Sequence, residues 1–562
     1  MEAGCDKEVV KQSGSRQLPT RLLGERSLQS DPSMALVNHL PKVSVVFLVI
    51  LALTQQIGSL TSSMDRTRNL EFSSQDIRIE KDGDYWLEKA SNALKGQLQK
   101  RQQTNRAKNI ILLIGDGMSL TTVTAARIYG GQAAGKNGES SSLSFENFPD
   151  IGLAKTYCVN SQVADSACTA TAYLTGVKNN RATIGVTANV TKYDCRAEQD
   201  TKNHITSILD WAQKANKSTG IVTNTRITHA TPAGAYAHSC YRHWESDRDI
   251  SDSNKAIDQK RACRDIAQQL IRDLPGKNIN VILGGGREKL LPSSQEIKRG
   301  RSDNIDLIKE WTREKTERNL RNKYVATRSQ LVEGNVTETD YLLGLFTDSH
   351  FQYALLPGKE SQPSLAEMTE AAIRVLSKNE EGYFLLVEGG LIDLAHHANK
   401  AHIALHETIE FDMAIRKALE LSNANDTLIV VTADHSHTLT HSGYPVRGSS
   451  VFGLAGISNV DKMPLPILSY AAGPGYHHTF TRDGLRYPFW DDQIDKNFRF
   501  PATFPQQEAN HGGEDVPVYA KGPWSHLLTG SYEQNLIPIV MAYAAGIGPG
   551  KTPNEISPLN RK

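Results

Sequence analysis

The chain lacks an excess of charge of either sign and a cysteine-based metal motif. Its 63 Lys and Arg residues balance 62 Asp and Glu residues, which gives a formal net charge of +1 over 562 residues. Proteins that bind nucleic acid draw on a basic surface that attracts phosphates, so this balance disfavours a nucleic-acid partner. Only six cysteines are present and none forms a Cys-x-x-Cys pair, which excludes the common cysteine zinc motifs.

The hydrophobic run near the N-terminus is short. It covers residues 43–54, follows Lys42, and is preceded by an internal methionine at Met34. A membrane-spanning helix needs roughly 20 apolar residues, whereas a shorter run is typical of the apolar core of a signal peptide. We therefore expect residues 1–62 to be a leader and signal segment and the protein to be secreted. The alternative is a signal anchor at the cell surface, and membrane association would then depend on this segment.

Other features concern export and processing. The chain has Asn-x-Ser/Thr sequons, possible glycosylation acceptors outside the cytosol, at Asn189, Asn216, Asn335 and Asn425. Cleavage of the leader would remove Cys5 and leave an odd number of cysteines, which forbids complete internal pairing. The C-terminus is polar up to Lys562, so we expect no C-terminal lipid anchor.

Short apolar runs alternate with helical patterns from residue 109 onward. The apolar runs, which we predict to be strands, are 110–114, 220–223, 279–283, 383–387 and 427–432. Helical patterns cover 121–129, 205–215, 263–273 and 365–377. Continuous apolar runs are typical of strands covered on both faces. The alternation predicts an α/β fold with a large central, mostly parallel sheet and helices on both faces.

Carboxylate and imidazole side chains follow three of these predicted strands, and one more histidine lies in a later loop. They are Asp116 after 110–114, Asp393 and His397 after 383–387, Asp434 and His435 after 427–432, and His511 in a glycine-rich loop. Open parallel sheets bind ligands at the carboxyl ends of their strands, and this pair of side-chain types suits zinc. Each group alone is explained by a turn, a solvated pair or a loop histidine. Together they predict a multi-metal site for phosphoryl transfer.

The nucleophile is predicted at Ser166, which follows Asp165 and precedes a run of small, helix-compatible residues. A serine at a helix start lies among free backbone N–H groups at the positive end of the helix dipole, where an anion is favoured. The alternative is that Asp165 or Ser166 merely caps the helix. The nearby metal-ligand candidates favour the nucleophile.

The motifs resemble the animal branch of the alkaline phosphatase family from about Asn109 to about Ala545. The segments that carry this resemblance are, in order, Gly115-Asp116-Gly117-Met118, Asp165-Ser166-Ala167, Thr228-His229-Ala230-Thr231-Pro232, Glu388-Gly389-Gly390, Ala433-Asp434-His435-Ser436-His437 and His511-Gly512-Gly513-Glu514-Asp515. The resemblance implies a homodimeric enzyme that hydrolyses phosphate monoesters through a phosphoserine, with two zinc ions and one magnesium ion per subunit. It also implies broad specificity and an alkaline pH optimum.

The same resemblance implies a role for each site residue. Ser166 would be the nucleophile and Arg242, oriented by Asp165, would bind phosphate. The metal ligands would be Asp116, Asp434 and His435 for one zinc, Asp393, His397 and His511 for the other zinc, and Asp116, Thr231 and Glu388 for magnesium. Imidazole suits zinc and hard oxygen ligands suit magnesium.

Several positions depart from the family pattern. Leu394 stands where the family usually has a polar residue near phosphate, so we expect phosphate affinity to differ. A calcium site is doubtful, because Thr347 and Gln362 stand where carboxylates are expected. The resemblance implies a disulfide between Cys195 and Cys263, and leaves the pairing of three cysteines open: Cys158, Cys168 and Cys240.

The resemblance also implies a division of the chain. Residues 63–108 would be an N-terminal arm that reaches towards a partner subunit, 109–443 and 510–562 the catalytic domain, and 444–509 a small, irregular crown-like insertion. Two other classes of function stay open: another two-metal member of the superfamily, such as a phosphodiesterase, sulfatase or phosphoglycerate mutase, and a secreted binding protein without turnover. The phosphatase-like Asp165-Ser166-Ala167 context and the competent residue at every ligand position disfavour them.

Overall fold

The structure is a computed structural model that describes residues 80–136, 138–253, 263–487 and 494–550. The predicted leader and signal segment, 1–62, lies outside these described residues, as does the beginning of the predicted arm. Within the described ranges, every helix is too short or too polar to cross a membrane.

The strands form one large sheet and three small ones. In chain order they are β1 (Asn109–Gly115), β2 (Asp150–Lys155), β3 (Ser218–Arg226), β4 (Val281–Gly285), β5 (Asn322–Val325), β6 (Tyr341–Leu345), β7 (Tyr383–Gly389), β8 (Thr427–Ala433), β9 (Ser436–His437), β10 (Leu439–His441), β11 (Leu454–Ile457), β12 (Pro464–Pro466), β13 (Leu468–Gly473), β14 (Ala502–Pro505), β15 (His511–Gly512), β16 (Val516–Lys521) and β17 (Gly530–Glu533).

The large sheet has ten strands in the order β17-β2-β16-β8-β1-β7-β3-β4-β6-β5. Strand β16 runs antiparallel to both of its neighbours, β2 and β8. The other neighbouring pairs are parallel. The predicted α/β class with a mostly parallel central sheet is therefore confirmed.

Helices connect the strands and cover the sheet. In chain order they are α1 (Gly83–Gln99), α2 (Leu120–Ala133), α3 (Ser166–Thr175), α4 (Cys195–Gln199), α5 (Ile208–Lys214), α6 (Ala230–Ala233), α7 (Asp247–Asp252), α8 (Ile266–Arg272), α9 (Arg287–Leu290), α10 (Leu307–Glu317), α11 (Arg328–Val332), α12 (Leu365–Leu376), α13 (Leu391–His397), α14 (Ala401–Leu421), α15 (Tyr476–Thr479) and α16 (Leu536–Ala545). Their starts follow local chemistry: Ser364 caps α12, and Glu367 completes a capping box.

The middle of the large sheet is buried on both faces. Strand β1 lies between β7 and β8, and every residue from Ile110 to Ile114 is fully buried. Burial on both faces explains why these strands read as uninterrupted apolar runs rather than as alternating patterns. The register pairs Gly115 with Gly389 of β7 and with Ala433 of β8. Three neighbouring strands therefore end together at one edge of the sheet.

The small sheets lie in the later part of the chain, from Ser436 to Gly512. They comprise β10-β13-β14, β11-β12 and β15-β9. The last of these is short, but its antiparallel register sets His511 directly opposite His437. A loop far along the sequence is thereby attached to the end of the segment that follows β8.

Glu407→Gln should increase stability most at high pH. Glu407 on α14 is buried, and its Oε1 accepts a hydrogen bond from the Ala354 N–H at 2.6 Å. Burial raises the pKa of Glu407 from an ordinary 4.5 to about 7. The neutral carboxyl of Glu407 contributes its full stabilisation at pH values below its pKa in the unfolded chain. This stabilisation is lost as the pH rises through about 7, the pKa in the folded protein. The unfolding free energy of the variant, relative to wild type, should grow by on the order of 2 kcal/mol between pH 5 and 8.

Urea unfolding followed by tryptophan fluorescence measures this difference. Glu420→Gln on the same helix is the matched control, because the Glu420 side chain is 65% exposed. The control should show no such growth with pH. A difference between Glu407→Gln and wild type that stays constant from pH 5 to 8 would contradict the assignment.

Candidate active site

The carboxyl ends of β1, β7 and β8 bring three carboxylates to one edge of the sheet. Asp116 follows β1, Glu388 lies at the end of β7 and Asp434 follows β8, and all three are fully buried. Asp434 Oδ1 accepts hydrogen bonds from the N–H of Gly117 at 3.0 Å and of His435 at 2.8 Å. The structure thus brings together the residues that the sequence pattern placed at separate strand ends.

Ser166 is the first residue of α3 and is almost completely buried. Its Oγ lies 3.2 Å from Nε2 of His435 and 3.5 Å from Oδ1 of Asp116. Asp165 precedes it as the N-cap, and its carboxylate accepts from the Cys168 N–H. The helix cap and the predicted nucleophile are therefore different residues, and the serine hydroxyl faces the metal-ligand candidates.

A second group of side chains lies beside the first. One ligand atom from each of four residues lies within 4.8 Å of the others: Asp393, His397, His437 and His511. His397 Nε2 is 3.2 Å from Asp393 Oδ2 and 3.1 Å from His511 Nε2. The outward Nδ1 atoms of His397 and His511 lie 2.6 and 2.8 Å from backbone carbonyls. Such contacts fix the ring orientation and leave Nε2 free for a metal.

His437 was given no role from the sequence, although it lies in the Ala433 to His437 motif. It is fully buried, and its Nε2 lies 2.5 Å from Asp393 Oδ1. The signal that could have found it is its position two residues after His435, because that spacing returns the side chain to the same face of an extended segment. The β9–β15 register then sets it opposite His511.

The third group combines buried side-chain oxygens with one histidine. Asp116, His229 and Glu388 lie close enough together to hold an ion. Asp116 Oδ2, Thr231 Oγ1 and Glu388 Oε1 are buried, and within the described residues none of these atoms makes a hydrogen bond of ordinary geometry. Buried polar atoms are normally satisfied, so these three oxygens fit a hard cation such as magnesium.

The buried carboxylates at this edge have too few positive charges near them to compensate their own charge. Burial raises the pKa of Glu388 to about 7 and that of Asp434 to about 6. Burial, followed by the charges of Asp434 and Asp393, raises the pKa of Asp116 well above its ordinary value. The pKa of Asp393 is lowered, because its contacts with His397 and other histidines outweigh burial. Bound cations would relieve the remaining repulsion.

Arg242 is positioned to bind an anion beside Ser166. Its Nη1 donates to Asp165 Oδ2 at 3.1 Å, and its Nη2 lies 3.2 Å from Nε2 of His229. Burial alone would raise the pKa of Asp165, but the charge and hydrogen bond of Arg242 and the N–H groups of Ala182 and Cys168 together lower it. Asp165 therefore caps α3 and holds the guanidinium at the same time.

These groups open into one catalytic cleft of about 630 Å³. Ser166, Arg242, His397 and His511 line it, and so does Leu394, which is half-buried. The sequence-predicted departure at Leu394 thus contributes an apolar surface to the cleft wall.

Thr347 and Gln362, the two positions considered for calcium, both make local hydrogen bonds. Thr347 Oγ1 donates to the Ser349 carbonyl at 2.7 Å, and Gln362 Oε1 accepts from the Gln352 N–H at 3.1 Å.

The cysteine pairing is resolved by the structure. Cys195 is bonded to Cys263, as the resemblance implied, and Cys158 is bonded to Cys168. Cys240 is buried and unpaired. Because Cys168 lies in the first turn of α3, the Cys158–Cys168 disulfide ties the start of this helix to the preceding loop.

Fold and site together define a metal-dependent phosphomonoester hydrolase. A family model for alkaline phosphatase matches residues 107–547. The chain belongs to the alkaline phosphatase family, and the predicted family, enzyme class and activity are confirmed.

Known relatives show how far the similarity extends. The chain is 44% identical to the membrane-bound alkaline phosphatase of Bombyx mori, over 84% of this chain and 87% of the relative. It is 48% identical to the tissue-nonspecific alkaline phosphatase of Rattus norvegicus, over 84% and 90%. A mutant of the TAB5 alkaline phosphatase with Mg bound in its M3 site is 25% identical, with a TM-score of 0.54, over 79% of this chain and 100% of that chain. The Thermus thermophilus alkaline phosphatase, 23% identical with a TM-score of 0.55 over 79% and 93%, shares the fold.

Zinc should stabilise the folded protein through the second group. A ligand that binds only the folded state stabilises it by about 2.7 kcal/mol at 100 times its Kd. Metal-free protein should therefore unfold at a lower temperature than protein with Zn²⁺ restored. Asp393→Asn should reduce this zinc-induced rise, because Asp393 contacts all three histidines of the group.

Calorimetric scans with and without Zn²⁺ measure the effect. Asp348→Asn is the control, because Asp348 is 44% exposed and pairs with Arg287 away from the cleft. The control should retain the full rise. An equal rise in both variants would show that zinc does not bind at Asp393.

Proposed function

We propose that this phosphomonoester hydrolase acts through a phosphoserine formed on Ser166, in a centre that holds two zinc ions and one magnesium ion per subunit. The observation that carries the proposal is the position of the Ser166 hydroxyl. It lies at the start of α3, within 3.5 Å of both Asp116 and His435, and in the same cleft as Arg242. A nucleophile, an anion-binding arginine and metal ligands thus converge on one point.

The ligand sets are proposed as the family resemblance assigns them. One zinc would be held by Asp116, Asp434 and His435, the other zinc by Asp393, His397 and His511, and magnesium by Asp116, Thr231 and Glu388. The orphaned buried oxygens of the magnesium set and the inward Nε2 atoms of the histidines support this assignment. His437 contacts Asp393 and would orient that carboxylate. When bound, the ions supply Lewis acidity at the phosphoryl and nucleophile oxygens.

The side chains of the protein bind the phosphoryl group and supply the nucleophile. Arg242 binds two phosphoryl oxygens through its planar guanidinium, and Asp165 keeps that group in place. Ser166 Oγ attacks phosphorus while the bond to the alcohol oxygen breaks. Water then attacks the phosphoserine, which releases inorganic phosphate and restores the hydroxyl. Because the enzyme binds the phosphoryl group rather than the alcohol portion, it accepts phosphate monoesters of many alcohols.

We also propose a homodimer in which residues 63–108 form an arm that reaches towards the partner subunit. In the described part of this arm, helix α1 has no buried residue and exposes Trp86, Leu87, Leu94 and Leu98. An exposed apolar set on one helix supports a role in contact with another chain. Residues 444–509, which carry β11 to β14, would form the crown-like insertion beside the catalytic domain formed by 109–443 and 510–562.

The proposed location is extracellular. The signal segment and the sequons support secretion, and the membrane-bound name of the Bombyx mori relative makes attachment through the N-terminal segment the alternative for this chain.

Ser166→Ala should abolish turnover while the metal centre stays assembled. Loss of the nucleophile should lower kcat for 4-nitrophenyl phosphate by roughly 10³-fold or more. Wild type should be more active at alkaline than at neutral pH. Assays are run with zinc and magnesium supplied, and metal content is measured alongside. Acid-quenched wild type should carry a phosphoryl group on the peptide that contains Ser166.

Ser161→Ala is the matched control, because the Ser161 hydroxyl donates to the carbonyl of Val163 on the exposed loop before the helix. It should retain wild-type turnover. Near-normal activity of Ser166→Ala would rule out the phosphoserine route, and an inactive, metal-loaded wild type would rule out the proposed reaction.

A further inference from the structure

The catalytic cleft has positive charges beyond those that the phosphoryl group requires. Arg226 and Arg242 line it and are paired with Glu245 and Asp165. Arg181 and Lys192 also line it and are exposed. Among the described residues, neither of these two has a carboxylate within ion-pairing distance, so both charges are available to a ligand.

Arg181 is attached to the phosphate-binding machinery through the backbone of its neighbour. The Ala182 N–H donates to Asp165 Oδ1 at 3.0 Å, and the Arg242 N–H donates to the Ala182 carbonyl at 2.9 Å. The Arg181 N–H itself donates to Asn160 Oδ1 at 2.8 Å. Ala182 is held at φ +68°, a left-handed conformation that an alanine adopts only when its surroundings impose it. The backbone of Arg181 is therefore held in place in the cleft wall, and its side chain is free to meet a ligand.

Lys192 is held beside the same machinery by aromatic rings. Its ammonium lies 4.7 Å from the ring centre of Tyr241 and 4.9 Å from that of Tyr193. Tyr241 immediately precedes Arg242 and lines the cleft. Cation–π contacts restrain the ammonium without using a carboxylate, so its N–H groups remain free to donate to an anion and less side-chain entropy is lost on binding.

The remaining free acid of the cleft lies elsewhere. Glu508 lines the cleft and immediately precedes Ala509, whose carbonyl lies 2.6 Å from Nδ1 of His397. It is therefore associated with the histidine group, whereas Arg181 and Lys192 are associated with Arg242. Arg499 also lines the cleft and is exposed, so Arg181 and Lys192 are two of its three exposed cations.

We propose that Arg181 and Lys192 form a second anion-binding subsite beside the phosphoryl site. The enzyme then prefers phosphate monoesters whose alcohol portion carries another anionic group, a carboxylate or a second phosphate. The inference rests on the proposed function, because it needs the first phosphoryl group bound at Ser166 and Arg242. The subsite takes part in no bond-breaking step. It affects only which phosphate monoesters the enzyme prefers.

The size of the preference follows from the exposure of the two cations. Exposed ion pairs contribute modestly and are screened by salt. Two such contacts give a selectivity of about 3- to 30-fold at low ionic strength. The same argument requires the preference to shrink as salt is added, whereas binding of the buried first phosphoryl group is screened less.

The test compares glycerol 3-phosphate with 3-phosphoglycerate, which replaces a hydroxymethyl group by a carboxylate. The ratio of kcat/KM values, 3-phosphoglycerate over glycerol 3-phosphate, is measured in the metal-loaded enzyme by phosphate release. Arg181→Ala/Lys192→Ala should lower this ratio by about 3- to 30-fold. In wild type, 0.5 M NaCl should move the ratio towards that of the variant. Fructose 1,6-bisphosphate against fructose 6-phosphate tests a second phosphate in the same way.

Lys309→Ala/Arg313→Ala is the charge-matched control, because both side chains lie on α10 and are 86% and 71% exposed. It should keep the wild-type ratio. An unchanged ratio in the Arg181/Lys192 variant, or a salt-independent ratio in wild type, would overturn the subsite while leaving the phosphatase reaction intact. If wild type hydrolyses neither substrate, it is the proposed function that fails. The salt measurement stands even if the variant does not fold.

Discussion

The burial of four carboxylates at one edge of a parallel sheet is the constraint on which the rest of the structure depends. Three of them arrive there because β1, β7 and β8 are neighbours in register, and Asp393 arrives from the helix that follows β7. Buried charges of one sign are costly unless they are compensated. Much of the surrounding chain supplies compensation: Thr223 and Thr225 donate to Glu388, and histidines surround Asp393.

The segments around this edge are held by several independent restraints. Asp165 caps α3 and pairs with Arg242, while the Cys158–Cys168 disulfide fixes the first turn of the same helix. The β9–β15 pairing attaches the loop of His511 to the segment after β8. Reactive groups need positional precision that a single contact does not give. Ser166, Arg242 and the histidines therefore belong to one framework although they come from distant parts of the sequence.

The central strands could be predicted from the sequence because burial on both faces makes them continuous apolar runs. The predicted strands all occur, with ends shifted by a few residues, as do the predicted helices. Five strands of the large sheet were not predicted, namely β2, β5, β6, β16 and β17, and β2 and β16 illustrate the reason. In β2, exposed and buried residues alternate, and neither strand is followed by a polar motif that would have drawn attention to it. The antiparallel direction of β16 depends on chain connections that local patterns do not encode.

The candidate site was predictable where the ligands follow strands, and less so where they meet through folding. The register of β1 and β8 brings Asp116 and Asp434 to the same sheet edge, where both carboxylates lie within 3.6 Å of His435 Nε2. The contact between His437 and Asp393 depends on a two-residue strand, and the partner of Cys158 depends on how one loop folds over α3. Spacing along the chain gave no basis for choosing among these pairings.

Gly117 explains how two metal-ligand groups lie side by side. Its N–H donates to Asp434, and a Cβ built on its left-handed backbone would lie 2.7 Å from the ring of His437 and 2.9 Å from Asp393 Oδ1. Nothing larger than a hydrogen fits on this side. The backbone of Gly117 therefore lies between the two groups of side chains. Because peptide geometry is nearly fixed, this backbone limits how closely the two groups can approach each other.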